Sequence, residues 1–220
     1  MKTQLIVLVF LVCSISGIAQ IKEVIAKSTI KFEGKNTDIR QVIEIDGYYA
    51  DPDAFRYGGS SEMCRMFFED GSFVSFYFKE GISENEKKTN MSKSVVGSLK
   101  NNQLIWGSWG VYKIERDTII VYTYHKASFW IGWSLWEERY KIINRTTIKG
   151  VYLKSLLRTS EYYYENHSPW IDEAAYRFTP ADSLPSSDCW LKEEKWIWRN
   201  ESDWKEYMQM IEQKKVKKKR

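Results

Sequence analysis

The chain has 220 residues, enough for one large β domain and short for two typical domains. It carries 33 Lys and Arg against 29 Asp and Glu, a formal net charge of +4, and 15% of its residues are aromatic, with 10 Trp and 14 Tyr. Two histidines are too few for a three-histidine zinc site, and there is no CxxC, HExxH, GxSxG or phosphate-cradling glycine loop, so no metal, no cofactor and no catalytic residue is expected.

In chain order, MKTQLIVLVFLVCSISGIA combines Lys2, an apolar stretch from Leu5 to Cys13 and a small-residue end at Ser16 to Ala19. This is the pattern of a secretory signal peptide, residues 1–19. The apolar run is shorter than the roughly 20 residues that span a bilayer. Val12 stands where lipid-modified leaders carry a small residue, which argues against anchoring through Cys13. An exported product, periplasmic or extracellular, is expected from Gln20 onward, with one domain over 20–213. Cys64 and Cys189 survive cleavage and are a candidate disulfide in an oxidising compartment, with two buried thiols as the alternative.

The charge is uneven. Removing Lys2 with the leader leaves +3, and the last ten residues, IEQKKVKKKR, set six basic groups against Glu212, a net +5, so residues 20–210 are at about −2. That argues against a basic nucleic-acid-binding face on the folded part. Residues 214–220 are expected to form a disordered basic tail able to touch an anionic membrane surface weakly.

Short Tyr, Trp, Val and Ile-rich runs between Gly, Asn, Asp and Ser turns indicate antiparallel β structure, with strands at 39–49, 94–106, 157–164 and 174–178 beside three hairpins. In MCRMFFEDGSFVSFYF, Asp70-Gly71 reads as a two-residue turn that pairs Phe68 with Phe73 and Phe67 with Val74. Residues 81–93 read as a long exposed loop. WGVYKIERDTIIVYTY turns at Arg116-Asp117. This pairs Ile114 with Ile119 and Tyr112 with Val121 on one face, and Val111 with Tyr122 and Trp109 with Tyr124 on the other. Both faces are apolar, so the second needs a cover. Burial is expected for Phe68, Phe73, Ile114, Ile119 and Val121.

LWEERYKIINRTTIKGVYL turns near Asn144-Arg145 and sets Trp136, Glu138, Tyr140 and Ile142 on one face. Residues 179–189 form a Pro/Ser connector. Asp203 and Glu206 have capping-box spacing, and Trp204, Met208 and Ile211 recur at helical spacing. A helix over about 202–213 is therefore expected to lay one apolar stripe on the outer face of the 109–124 hairpin.

Eight to ten strands at hairpin spacing suit a closed barrel or a two-sheet sandwich. The succession IDGYYADP, RMFFEDGSFVSFYF, GSWGVYKIERDTIIVYTY and WEERYKIINRTTI resembles small bacterial lipocalin-like (calycin-like) barrels, and the leader resembles those of exported Bacteroidetes proteins. The resemblance implies a single antiparallel up-and-down β-barrel with a C-terminal α-helix packed outside and a cavity for a small, largely apolar ligand. Gly47-Tyr48-Tyr49 stands where true lipocalins carry Gly-x-Trp. Candidate ligand-binding residues are Phe68, Phe73, Tyr112, Val121, Trp136, Glu138 and Tyr140. Glu138, between Trp136 and Tyr140, would hold the ligand's polar end or pair with an Arg or Lys on a neighbouring strand. Glu137 and Glu138 point to opposite faces and cannot work as one acid–base pair. The expected function is non-catalytic ligand binding. The alternative is a secreted glycan- or protein-binding module presenting Trp rings, with residues 125–136 as its site.

Overall fold

The computed structural model of the chain describes residues 22, 24–28, 30–35, 37–51, 61–79, 83, 85–87, 108–126, 133–156 and 175–217. The expected leader, the expected strands at 94–106 and 157–164, most of the 81–93 loop and residues 127–132 of the 125–136 segment lie outside the described residues. Eight strands follow one another: β1 (Gly47–Ala50), β2 (Ser61–Phe67), β3 (Ser72–Lys79), β4 (Ser108–Glu115), β5 (Thr118–Lys126), β6 (Trp133–Asn144), β7 (Thr147–Ser155) and β8 (Ala175–Pro180). Each pairs antiparallel with the next, and β8 returns to β1, so the sheet closes into an up-and-down barrel without free edges. After the barrel come α1 (Trp190–Glu193), a 3-10 turn at Lys195–Ile197 and α2 (Glu201–Lys217), the helix packed outside.

Of the strand expected over 39–49, only β1 forms. Ile39–Gln41 is a 3-10 turn, and Ile39, Ile43 and Ile45 are buried as a plug in one end of the barrel. The plug is tied to neighbouring turns: Glu44 N donates to Arg145 O at 2.8 Å, and Arg40 pairs with both Asp46 and Glu69. α2 runs past residue 213 to Lys217, and Lys214 pairs with Asp188 at 2.8 Å, so the first residues of the expected disordered tail are helical.

Strand alternation separates two cores. One lies inside the barrel and takes Tyr49, Phe67, Phe73, Tyr112, Ile119, Val121, Tyr140, Ile148 and Tyr176 from the strands. The other lies on the outer face of β1 to β6, and Val24, Ile30, Phe32, Leu191, Ile197, Trp198, Tyr207 and Ile211 cover it from outside. The register of β4 against β5 is as expected, with Ile114 opposite Ile119 and Tyr112 opposite Val121; Arg116 takes the positive φ (58°) that the tight turn needs. Trp109, Val111, Ile120 and Tyr122 therefore face outward, and the C-terminal segment buries them. The helical stripe is centred on Tyr207 and Ile211, with Trp204 and Met208 partly buried beside it.

The β2–β3 turn differs from expectation. Phe67 stands opposite Phe73, and Met66 opposite Val74. Phe68 N donates to Ser72 O at 3.0 Å and Gly71 N to Phe68 O at 3.1 Å, a three-residue loop of Glu69, Asp70 and Gly71. Gly71, the last of the three, takes the positive φ (89°) of the left-handed residue that closes a three-residue hairpin loop. The extra loop residue shifts the register by one and reverses the face of every β2 side chain. Phe68 is therefore on the outer face, stacked on Trp109 at 5.9 Å, and Phe67 takes its place inside. Phe73, Ile119 and Val121 are buried as expected, and Ile114 is half-buried.

The expected disulfide is absent: Cys64 and Cys189 are both buried thiols in the outer core. They behave as small apolar side chains. Burial pushes the Cys189 thiol up to about 11, which keeps it protonated and unreactive.

Docking of the C-terminal segment has one polar anchor. Lys192 Nζ donates to Asp70 Oδ2 at 2.5 Å and to Ser187 Oγ at 3.0 Å, and lies over the Phe32 ring. The segment also forms a parallel bridge with the N-terminal stretch, where Phe32 N donates to Ile197 O at 2.7 Å and Arg199 N to Phe32 O at 2.9 Å. An isolated helix of this length is marginal in water, so burial holds it; side chains such as Leu191, Ile197 and Ile211 contribute about 1.5–3 kcal/mol each. A chain ending at Pro185 is expected to aggregate or to lose much of its melting temperature. One ending at Gln213 loses an exposed ion pair worth under about 1 kcal/mol. Equal melting temperatures for both and the full chain would contradict the covering role.

Burial alone would raise the Asp70 carboxyl, but the charge of Lys192 and hydrogen bonds from Lys192 and Ser72 more than reverse this and leave it below its ordinary value. A carboxyl depressed in the folded state stabilises fully above its unfolded pKa of about 4, and that stability is lost as pH falls through the folded value. Thermal melts from neutral pH into acid should therefore fall more steeply for the native chain than for Asp70→Asn. Parallel profiles would show that the anchor contributes nothing.

Candidate ligand site in the barrel

The lumen changes character along its length. At the plugged end, near the tight turns, the Phe67 ring meets Phe73 (5.1 Å), Tyr112 (5.5 Å), Tyr49 (6.0 Å) and Tyr140 (6.3 Å), and these side chains fill the space as a floor. Tyr112 is fixed there by its hydroxyl, which donates to Phe68 O at 2.6 Å and meets Thr37 Oγ1 at 2.7 Å.

Above the floor sits a polar layer. Arg65, two residues along β2 from Phe67, points inward and is 3% exposed. Its Nε donates to the Tyr140 hydroxyl, which donates in turn to Glu138 Oε2; Glu138 Oε1 accepts from Thr123 Oγ1 at 2.8 Å. Arg65 Nη2 stands 3.7 Å from Glu138 Oε2, and the guanidinium lies over the Tyr176 ring, 4.1 Å from its centroid. Arg65 Nη1 is buried and has no hydrogen-bond partner among the described residues. Burial disfavours the charged guanidinium, but Tyr140, Tyr176 and Glu138 more than compensate, and Arg65 stays cationic. Burial likewise pushes the Tyr140 phenol well up, so its hydroxyl remains a donor.

Beyond this layer, toward the end opposite the plug, register places Met63, Tyr77, Trp136 and Leu153 on the inward face, and all four are half-buried rather than buried. In β7 the pairing shifts between Tyr140 opposite Gly150 and Arg139 opposite Tyr152, which turns Leu153 inward beside Glu138.

Of the seven expected site residues, Trp136, Glu138 and Tyr140 converge on this polar layer or just beyond it. Phe73, Tyr112 and Val121 face inward but belong to the packed interior. Phe68 lies outside the lumen, for the turn-length reason given above. Glu138 does meet an arginine, but across the lumen from β2 rather than on a neighbouring strand. Arg65, Thr123 and Tyr176 are the residues missed. An arginine inside the apolar run MCRMFF was the available signal, and the shifted register hid it by placing Arg65 outside. Among the described residues no group of three His, Cys, Asp or Glu side chains is placed to hold a metal ion.

No protein-family model, no curated protein and no solved structure matches this chain.

The Tyr140 hydroxyl is hydrogen-bonded to both the guanidinium and the carboxylate, so its removal leaves each of these charged groups short of a partner. Tyr140→Phe is expected to lower the unfolding free energy by about 1–3 kcal/mol in denaturant melts. An unchanged midpoint would show that this chain of hydrogen bonds is not formed.

Proposed function

We propose that the chain is an exported, non-catalytic, lipocalin-like protein that holds a small, largely apolar ligand in the barrel, between the Arg65 layer and the end opposite the plug. The observation that carries this is the burial gradient along the lumen. Tyr49, Phe67, Phe73, Tyr112 and Tyr140 are buried as a closed floor, with Ile114 and Ile142 half-buried near the tight turns beneath it, whereas Met63, Tyr77, Trp136 and Leu153 on the far side of Arg65 keep accessible surface on a concave, apolar wall. An eight-stranded barrel has room for one small ligand when its interior is not filled by side chains. An apolar wall with a few convergent polar groups is the usual make-up of a small-molecule site. Trp109, Trp190, Trp196, Trp198 and Trp204 all pack into the outer core, which leaves them poor candidates for an exposed ring platform. That favours a lumenal ligand over the glycan-binding alternative. Export to the periplasm or beyond rests on the leader, and a weak contact with an anionic membrane rests on the basic C-terminus.

Native mass spectrometry of the protein purified from its own envelope is expected to show one co-purifying small molecule per chain. An apolar fluorescent probe should bind and be displaced by an extract of that species. Trp136→Ala should weaken probe binding about tenfold, a loss of roughly 1.4 kcal/mol of ring contact. A protein that carries no small molecule and binds no probe, but is retained on a glycan array, would replace this function with the alternative.

A further inference from the structure

We infer that the polar group of the ligand is a neutral hydrogen-bond acceptor, such as an ester or ketone carbonyl, that receives a hydrogen bond from Arg65 Nη1, and that the barrel disfavours a carboxylate at the same place. This rests on the lumenal binding proposed above and specifies the chemical class of what is bound.

The donor is identified by accounting for Arg65. Nε is engaged by Tyr140, Nη2 faces Glu138, and the flat face of the guanidinium is covered by Tyr176. Nη1 alone is left, buried in the lumen with no acceptor among the described residues. A buried N–H without a partner is costly, and one held on a rigid planar fork recognises an oxygen placed in its plane. Glu138, the carboxylate beside the guanidinium, is already committed, with one oxygen to Thr123 and the other to Tyr140. An incoming oxygen therefore fills a vacancy that the protein's own groups leave.

Charge decides which kind of oxygen. The Glu138 carboxylate lies 3.7 Å from the guanidinium and already offsets it. Asp51, at the end of β1, adds a further carboxylate to the field felt by Tyr176. A ligand carboxylate at Nη1 would be attracted by an Arg65 charge that Glu138 already offsets, and would lose its hydration in full. A carbonyl oxygen loses far less hydration, gains a hydrogen bond from a charged donor and adds no net charge. From Arg65 to the first residue of β2 is four residues, or roughly 13 Å at strand rise, which sets the depth available for the apolar body.

The test is displacement of an apolar fluorescent probe from the full chain by a series sharing one alkyl body: methyl decanoate, decanoate and decane, at neutral pH. Methyl decanoate is expected to bind at least about tenfold more tightly than either of the others, a difference of about 1.4 kcal/mol. Glu138→Gln leaves Arg65 uncompensated and should reverse the order, making decanoate the better ligand. Arg65→Met, paired with Glu138→Gln so that no lone charge is buried, should bring ester and alkane to equal affinity. Tighter binding of decanoate than of the ester by the native chain would overturn the inference while leaving lumenal binding intact, as would equal binding of ester and decane. Failure of the probe and of every competitor to bind would instead remove the proposed function itself, and the inference with it.

Discussion

The three-residue turn at Glu69, Asp70 and Gly71 fixes the register of β2 against β3, and the rest of the molecule depends on that register. It turns Phe67 and Arg65 into the barrel and Phe68, Met66 and Cys64 toward the outer core. The same turn fastens three other parts of the chain. Gly71 O accepts from Tyr112 N at 3.0 Å, Glu69 O accepts from Thr37 N at 2.9 Å, and Asp70 receives Lys192 and Ser187 from the C-terminal segment. A Cβ on Gly71 would stand 3.3 Å from Thr37 Cγ2 on a backbone with φ of 89°, so any other residue here is strained by its backbone and tight against Thr37. Barrel floor, plug and outer layer thus meet at one loop.

The barrel wall is buried on both sides over β1 to β6, which is unusual for antiparallel sheet with its common division into a wet and a dry face. Its sequence shows this as near-continuous apolar runs such as FVSFYF rather than clean alternation. The cover comes from segments far apart in sequence, joined by the Phe32–Trp198 bridge and a ring contact at 4.6 Å. Along β6 and β7 the outer face also carries the exposed Arg139, Lys141 and Lys154, with the Arg139 guanidinium over the Tyr152 ring. Selective covering explains why the C-terminal helix docks on one side of the barrel only.

Much of this architecture was legible. The hairpin at 109–124 could be registered residue by residue, because a turn at the polar pair Arg116-Asp117 sets apolar side chains opposite one another along both strands. The need for an outer layer followed from the same sixteen residues, and the helix that supplies part of it was marked by its change of period. The polar centre of the lumen was half legible: Glu138 and Tyr140 share a face by simple alternation, but their partner Arg65 did not appear among them. Asp-Gly serves two turn types that differ by one residue in length, and local sequence does not choose between them; the contacts of Asp70 with Ser72 and Lys192 do. Residues 39–46 failed for a related reason. Ile39, Val42, Ile43 and Ile45 have strand-forming side chains, yet capping the barrel end buries them better than pairing would. Two cysteines after a leader-like N-terminus suggested a bond that the outer core does without.

The register of β2 against β3 can be observed directly through cross-strand α-proton contacts in solution NMR. Phe68 and Ser72 form a hydrogen-bonded pair, so Phe67 with Phe73 and Arg65 with Ser75 are the close, non-hydrogen-bonded pairs. Strong α-proton cross-peaks are expected for these two pairs, together with contacts from the Arg65 side chain to the Tyr140 and Tyr176 rings. Cross-peaks joining Phe68 with Phe73 and Met66 with Ser75 would mean a two-residue turn, place Arg65 outside the barrel, and contradict the account of the lumen.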